Sequence, residues 1–168
     1  MIIFLTGFMG VGKSTVGKQL ADFMKYDFID LDSSIEALED QSIQEIFVSH
    51  GEQYFRRLES LTLKKVIRAS NKPTVISLGG GTLSSPENNN LVLTSGICVY
   101  LYKPWEETKK DLEHLKDRPL VIQKSMAELE ELFYKRIEKY NCSQLKMPMN
   151  STFTPKKLSN YLKLLTNR

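Results

Sequence analysis

The chain carries only two cysteines, Cys98 and Cys142, in 168 residues. That excludes a disulfide-stapled scaffold, and neither cysteine has neighbours at metal-site spacing. Cys98 lies in an apolar, strand-like run and is expected to be a packed thiol. Cys142 falls near a helix end, and no disulfide between the two is expected. Apolar runs are all far shorter than the ~20 residues that a membrane-spanning helix needs. The opening Met1-Ile2-Ile3-Phe4 enters a strand at once, so no signal peptide is expected and a cytoplasmic location is. Histidine is scarce: His50 and His114 are isolated, and surface or capping roles suit both. Charge of one sign is also lacking, since the net charge is +3. That gives no argument for nucleic acid or membrane partners, although it suits a small anionic substrate. There is no internal repeat, low-complexity tract or linker. An ordinary balance of 41% hydrophobic and 26% charged residues then points to one globular domain spanning 1–168, with nothing that demands more than a monomer.

What is present begins at Gly7-Phe8-Met9-Gly10-Val11-Gly12-Lys13-Ser14-Thr15, which fits the phosphate-binding pattern G-x-x-x-x-G-K-[ST]. Glycines let the main chain turn tightly and aim its N–H groups at an anion, and the positive end of the following helix adds to the attraction. The stretch Gly10, Val11, Gly12, Lys13, Ser14 and Thr15 is therefore expected to hold a nucleoside triphosphate. Lys13 would reach the β and γ phosphates, Ser14 would place its hydroxyl on Mg²⁺, and Thr15 would serve the α phosphate. The flanks agree with the motif. Ile2-Ile3-Phe4-Leu5 reads as a buried parallel strand, and Val16, Leu20, Phe23 and Met24 recur at helical spacing.

Further along, Phe28-Ile29 leads into Asp30-Leu31-Asp32. Two carboxylates at i and i+2 of an extended segment point the same way, so one would hold water on Mg²⁺ and the other would reach a substrate hydroxyl. The alternative is an aspartate N-cap for a helix over Ser33–Glu39. Ser42 and Glu45 form a capping box for a short helix, and Gly51 opens a long one to about Ser70, with Phe55, Leu58, Leu61 and Val66 as its apolar face. Arg56 and Arg57 project about 100° apart, so at most one faces a site. Thr74–Leu78 is the third strand. The Gly79-Gly80-Gly81 run that follows makes sense where the main chain approaches a ligand closely. Ile97–Leu101 is the fourth strand. Pro104 opens a helix to about Leu115, and Lys116-Asp117-Arg118-Pro119-Leu120 has the composition of a mobile flap whose arginine would close over the triphosphate. Ser125 and Glu128 cap a helix to about Tyr140, with Met126, Leu129, Leu132, Phe133 and Ile137 inward. Leu145–Met149 reads as an edge strand, and Thr154-Pro155 starts a last helix carrying Leu158, Tyr161, Leu162 and Leu165. Strand and helix alternate throughout, which implies an α/β fold with a mostly parallel sheet covered on both faces.

A phosphate loop alone says nucleotide, not what is done with it. The chain has no Asn-Lys-x-Asp guanine-selecting motif, and it is too short for a motor core plus effector module. A small-molecule kinase fits better. Gly7 to Thr15, Asp30-Leu31-Asp32, Gly51-Glu52-Gln53-Tyr54-Phe55-Arg56-Arg57-Leu58-Glu59, Gly79-Gly80-Gly81 and Arg118-Pro119-Leu120 stand in the order and spacing of shikimate kinase, and the chain resembles that family over nearly its whole length. The resemblance implies a three-layer P-loop NTPase fold, NMP-kinase-like, with a five-stranded parallel sheet. It implies an acceptor-binding region at about 32–60 and a lid at about 111–124. It implies transfer of the ATP γ-phosphoryl to the 3-hydroxyl of shikimate, in aromatic amino-acid biosynthesis. By the same resemblance Ser14 and Asp30 form the Mg²⁺ site, and Asp32 binds the acceptor hydroxyl. Arg56 and Arg136 hold the shikimate carboxylate, in keeping with the fork of a guanidinium. Gly79, Gly80 and Gly81 contact the substrate, and Arg118 is the lid arginine, catalytic with Lys13 and Asp32. This chain differs from the family's usual pattern at Lys109 and Lys110 and at Ser151-Thr152-Phe153-Thr154-Pro155, where Phe153 is a candidate to stack on adenine. Two rivals stand beside this reading: a kinase for another polyol acid such as gluconate, and a nucleotide-binding regulatory module with no acceptor.

Overall fold

The structure is a computed structural model, and it describes residues 1–115 and 119–166. Five strands, β1 (Ile2–Thr6), β2 (Asp27–Asp30), β3 (Thr74–Ser77), β4 (Ile97–Tyr102) and β5 (Leu145–Pro148), form one sheet in the order β2-β3-β1-β4-β5. Every pairing is parallel. β1 lies in the middle of the sheet and all five of its residues are buried. This is why its sequence is apolar without alternation.

Side chains of β1 divide between two cores. Ile2 and Phe4 join Ile76, Cys98 and Tyr100 on one face, while Ile3 and Leu5 join Val75, Val99 and Leu101 on the other. The period of two along each strand thus builds a three-layer α/β sandwich. The second face is covered by α1 (Lys13–Met24) and α8 (Pro155–Thr166) through Val16, Leu20, Leu158 and Leu162. The first face is covered by residues of α2 (Leu31–Glu39), α3 (Ile43–Ala69), α4 (Pro86–Ser95), α5 (Trp105–Glu113) and α7 (Met126–Tyr140). A short helix, α6 (Pro119–Gln123), and one 3₁₀ turn (Thr82–Ser84) complete the described elements.

Two helices meet at Gly51, as expected: the segment Ile43–Ala69 is broken by Gly51, whose φ 78° and ψ 171° are not helical. Its left-handed backbone is open to glycine at no cost in Cβ sterics. Periodicity places Phe23, Leu61, Tyr161 and Leu165 inward, yet they are 47%, 63%, 57% and 47% exposed. Gly17, Ala21, Glu59 and Thr62 occupy inward positions of α1 and α3 instead. A small or polar side chain wins such a place when a neighbouring helix or strand comes close or a partner awaits it. The capping boxes at Ser42–Glu45 and Ser125–Glu128 are both formed. Cys98 is buried, Cys142 is exposed, and both are free. His50 stacks on Tyr54 at 4.6 Å, and His114 is the C-cap of α5.

Candidate active site

The parallel topology delivers the loops after β1, β2 and β3 to the same edge of the sheet, where open α/β folds bind ligands. The loop after β1 turns through Gly10 (φ 81°) and Gly12 (φ 93°). Gly12 is the N-cap of α1, and no side chain caps that helix. A Cβ at Gly12 would meet nothing within 4 Å, so the glycine is there for its left-handed backbone and not for space. The unsatisfied N–H groups of the first turn are left for an anion. Lys13 folds back over this loop, its Nζ donating to the carbonyls of Gly7 at 2.9 Å and Phe8 at 3.0 Å. Gly10, Gly12, Lys13, Ser14 and Thr15 line the cleft. Val11 does not: it is 4% exposed, packs in the second core, and its N–H donates to Phe8 O at 3.4 Å.

The loop after β2 brings in the carboxylates. Asp30 ends the strand and is at once the N-cap of α2, its Oδ1 accepting from Ser33 N at 3.2 Å. Its other oxygen, Oδ2, accepts from the hydroxyl of Ser14 at 2.5 Å. The N-cap reading of Asp30 is thus realised on one oxygen, while the other is turned to Ser14. Asp32 is not extended, as its spacing from Asp30 suggests, but stands in the first turn of α2. It lines the cleft at the phosphate loop and also a neighbouring pocket.

That second pocket is lined by Asp32, Arg56, Glu59, the three glycines and Arg136, with Phe47, Phe55, Pro119 and Leu120 among its apolar residues. Arg56 lines it, whereas Arg57 is exposed and lines only an adjoining groove that Arg56 and Glu59 also border. Arg56 Nη1 pairs with Glu59 Oε2 at 2.9 Å, and Nη2 with Glu52 Oε1 at 3.0 Å. Burial pushes the Arg56 pKa down, but Glu59 and Glu52 outweigh it and hold the value above that of ordinary arginine. Arg136 is 6% exposed and 5.7 Å above the Phe8 ring. Burial lowers its pKa, with the charge of Arg56 adding in the same direction. No hydrogen-bond partner meets its buried Nε among the described residues. A guanidinium cannot shed its proton, so a buried one with an unfilled donor favours an incoming anion.

The triple glycine is explained by crowding. A Cβ on Gly79 would lie 2.6 Å from Glu59 Oε1 and 3.0 Å from Asp32 Oδ1, and one on Gly81 would lie 2.6 Å from Arg56 Nη1. It is the site's own side chains that need the room at these two positions. Gly80, where a Cβ would meet nothing nearer than Met9 N at 3.4 Å, lines both cavities. Met9, Asp32 and Gly80 are thus the shared wall between a phosphate loop and a pocket carrying two arginines.

Comparison with known proteins identifies the family. The family model described as shikimate kinase matches residues 9–165. The chain belongs to the shikimate kinase family. A shikimate kinase of Chlorobium phaeobacteroides (strain DSM 266) is 43% identical over 153 residues, covering 86% of this chain and 80% of that one. The solved structure of shikimate kinase from Acinetobacter baumannii in complex with shikimate superposes with a TM-score of 0.87 at 31% identity, over 99% of this chain and 94% of that one. A gluconokinase from Sinorhizobium meliloti shares the fold at a TM-score of 0.57 and 15% identity, over 98% and 93% of the two chains. That likeness extends to architecture alone and gives no support to the gluconate rival.

Among the residues assigned from the shikimate kinase resemblance, Ser14, Asp30, Asp32, Arg56, Gly79, Gly80, Gly81 and Arg136 come together with the phosphate loop. Arg118 lies outside the described residues; Leu115 lines the cleft at the phosphate loop, and Pro119 and Leu120 line the second pocket. Phe153 packs against the second core. Sequence reasoning missed Glu59 as a site residue, although its i,i+3 spacing from Arg56 signals a helical ion pair. It also missed Met9, an apolar residue inside a polar motif, for which no sequence signal exists.

Proposed function

We propose that this chain transfers the γ-phosphoryl group of ATP to the 3-hydroxyl of shikimate, giving shikimate 3-phosphate and ADP. The observation that carries this reading is the shared wall: Asp32 and Gly80 face a phosphate cradle on one side and a pocket with Arg56 and the buried, anion-seeking Arg136 on the other. In this proposal the carboxylate of shikimate sits between the two guanidinium groups, which turns its ring so that one hydroxyl meets Asp32. Asp32 accepts the hydrogen bond of that hydroxyl and takes its proton as the hydroxyl oxygen attacks phosphorus, and the bond from the γ-phosphorus to the bridging oxygen breaks to release ADP. Lys13 exchanges the carbonyls of Gly7 and Phe8 for phosphate oxygens and offsets the charge spreading over the transferring group.

The Ser14 hydroxyl beside the Asp30 carboxylate is an all-oxygen, half-buried pair that suits Mg²⁺, and no group of three or more His, Cys, Asp or Glu side chains gathers as a metal cage among the described residues. That fits an ion that keeps its waters and borrows phosphate oxygens. When bound, Mg²⁺ would supply positive charge that offsets the charge on the phosphate groups. The segment at about 111–124, Arg118 included, acts in this reading as the lid that excludes water. The chain is taken to work as a monomer in the cytoplasm, on small molecules alone.

The test is ADP release from ATP and Mg²⁺ with shikimate, gluconate, quinate and nucleoside monophosphates offered in turn, with Lys13→Ala as the control. Turnover with shikimate that Lys13→Ala abolishes is expected. Strong turnover with gluconate and none with shikimate would overturn the substrate, and turnover with nothing would favour a regulatory module.

A further inference from the structure

The loop that follows β3 is tied down on two sides by buried hydroxyl groups. On one side Thr82, fully buried, donates to Glu59 Oε1 at 2.6 Å. Glu59 is itself 1% exposed, and its second oxygen holds Arg56. The side-chain amide of Asn88 donates to the carbonyl of Thr82 at 3.3 Å, which anchors this end of the loop to α4. On the other side Tyr140, also 1% exposed, donates its hydroxyl to the carbonyl of Gly80 at 2.5 Å. Tyr140 lies one helical turn beyond Arg136 on α7, and its ring packs 5.0 Å from that of Tyr100 on β4. Burial drives the pKa of its phenol well above that of an ordinary tyrosine, so it remains a donor. Neither hydroxyl lines the acceptor pocket.

The loop therefore runs between the two arginines as a spacer. Gly81 abuts Arg56, Gly80 abuts Arg136, and each contact is backed by one hydroxyl bond. We infer that Thr82 and Tyr140 are positioning residues for the acceptor, their hydroxyls setting the separation of Arg56 and Arg136 by fixing the loop between them. This rests on the proposed function, in which both guanidinium groups hold one carboxylate. Two forks on separate helices grip one small anion only when their spacing is held to about 0.5 Å, and neither helix alone can enforce that. A displaced spacer acts on both arginines, and so on the acceptor, more than on the nucleotide, whose cleft is lined chiefly by the phosphate loop itself.

The experiment is steady-state kinetics and thermal unfolding of the full chain carrying Thr82→Val, Thr82→Ser or Tyr140→Phe. Valine and phenylalanine keep the volume and delete the hydroxyl, whereas serine keeps it. The expected result is a rise of roughly ten-fold in KM for shikimate in Thr82→Val and in Tyr140→Phe, the scale of one buried hydrogen bond. The KM for ATP and kcat should stay within about two-fold, and Thr82→Ser should return KM towards the unaltered value. A lowered melting temperature with the shikimate KM unmoved in both deletions would reduce the two hydroxyls to structural bonds and overturn the inference. Should Thr82→Val fail to fold, Tyr140→Phe decides by the same two outcomes. No turnover of shikimate by the unaltered chain would overturn this inference together with the proposed function. Normal turnover, with Arg136→Lys raising KM and the hydroxyl deletions not doing so, would overturn this inference alone.

Discussion

Gly79→Ala is the sharpest perturbation available, because it adds a single methyl group where three polar atoms already stand. The new Cβ would lie 2.6 Å from Glu59 Oε1, 3.0 Å from Asp32 Oδ1 and 3.1 Å from Thr82 Oγ1. Glu59 cannot swing aside freely, since it is buried and held by Thr82 and Arg56. Overpacking of this kind costs about 1–3 kcal/mol. If Glu59 yields and loses Thr82, a buried acceptor goes unpaired at a further ~1–3 kcal/mol. Against this, alanine narrows the unfolded ensemble and returns only about 0.4–1 kcal/mol. The losses win, and a net destabilisation of roughly 2–4 kcal/mol follows. For a chain of this size that is a fall in melting temperature of about 5–15 °C, read by calorimetry or circular dichroism. The shikimate KM should rise in the same variant, because both Glu59 and Asp32 are displaced. Gly80→Ala is the control: its Cβ meets nothing nearer than 3.4 Å, so the melting temperature should hold, although the new methyl group borders both cavities. Equal melting of Gly79→Ala and the unaltered chain, with the shikimate KM unchanged, would refute the crowding argument.

Arg136→Ala should raise the shikimate KM by about 30-fold or more, the loss expected on removing one partner of a buried charged pair, with nucleotide affinity nearly unchanged; isothermal titration with each ligand separates the two, and equal losses would contradict the assignment. Burial pushes the Cys98 thiol up to about 11, whereas Cys142 is exposed, so a thiol reagent at mildly alkaline pH should modify one cysteine promptly in the folded chain and both in denaturant. Prompt reaction of both would remove the packing of Cys98. The carboxyls of Glu45 and Glu128 are held below the ordinary glutamate value, the first mainly by the Ser42 hydroxyl and the second mainly by the Ser125 backbone N–H. Their contribution is complete above the unfolded value of 4.5 and is lost as pH falls through the lower folded value. Acid titration followed by helical circular dichroism should therefore be less steep in Glu128→Gln, and an identical curve would argue against the cap.

Strands were legible because burial on both faces demands continuous apolar runs, as in Ile2-Ile3-Phe4-Leu5. Helix ends were legible where a local hydrogen bond defines them, as at Ser42 and Ser125. Inward faces were read less well. Leu61 and Phe23 carry the right periodicity, yet they point to water, while Glu59 and Thr62 point in. Periodicity reports which faces a helix has, not which of them a distant element will cover. Asp32 shows the same limit at the site: its spacing from Asp30 implies a shared strand face, but α2 begins between them.

The phosphate loop belongs to the sequence outright. Its glycines, lysine and serine act over nine consecutive residues, so local backbone conformation is enough to build the cradle. The acceptor pocket belongs to the tertiary structure. Arg56 and Arg136 lie on separate helices 80 positions apart in the chain, and no local rule brings them to one side of Gly80. Their meeting depends on the order β2-β3-β1 in the sheet, on the kink at Gly51 that redirects α3, and on a loop narrow enough to pass between two guanidinium groups. Only long-range packing can measure that gap, which is why the residues that hold it, Thr82 and Tyr140, became visible once the chain was folded.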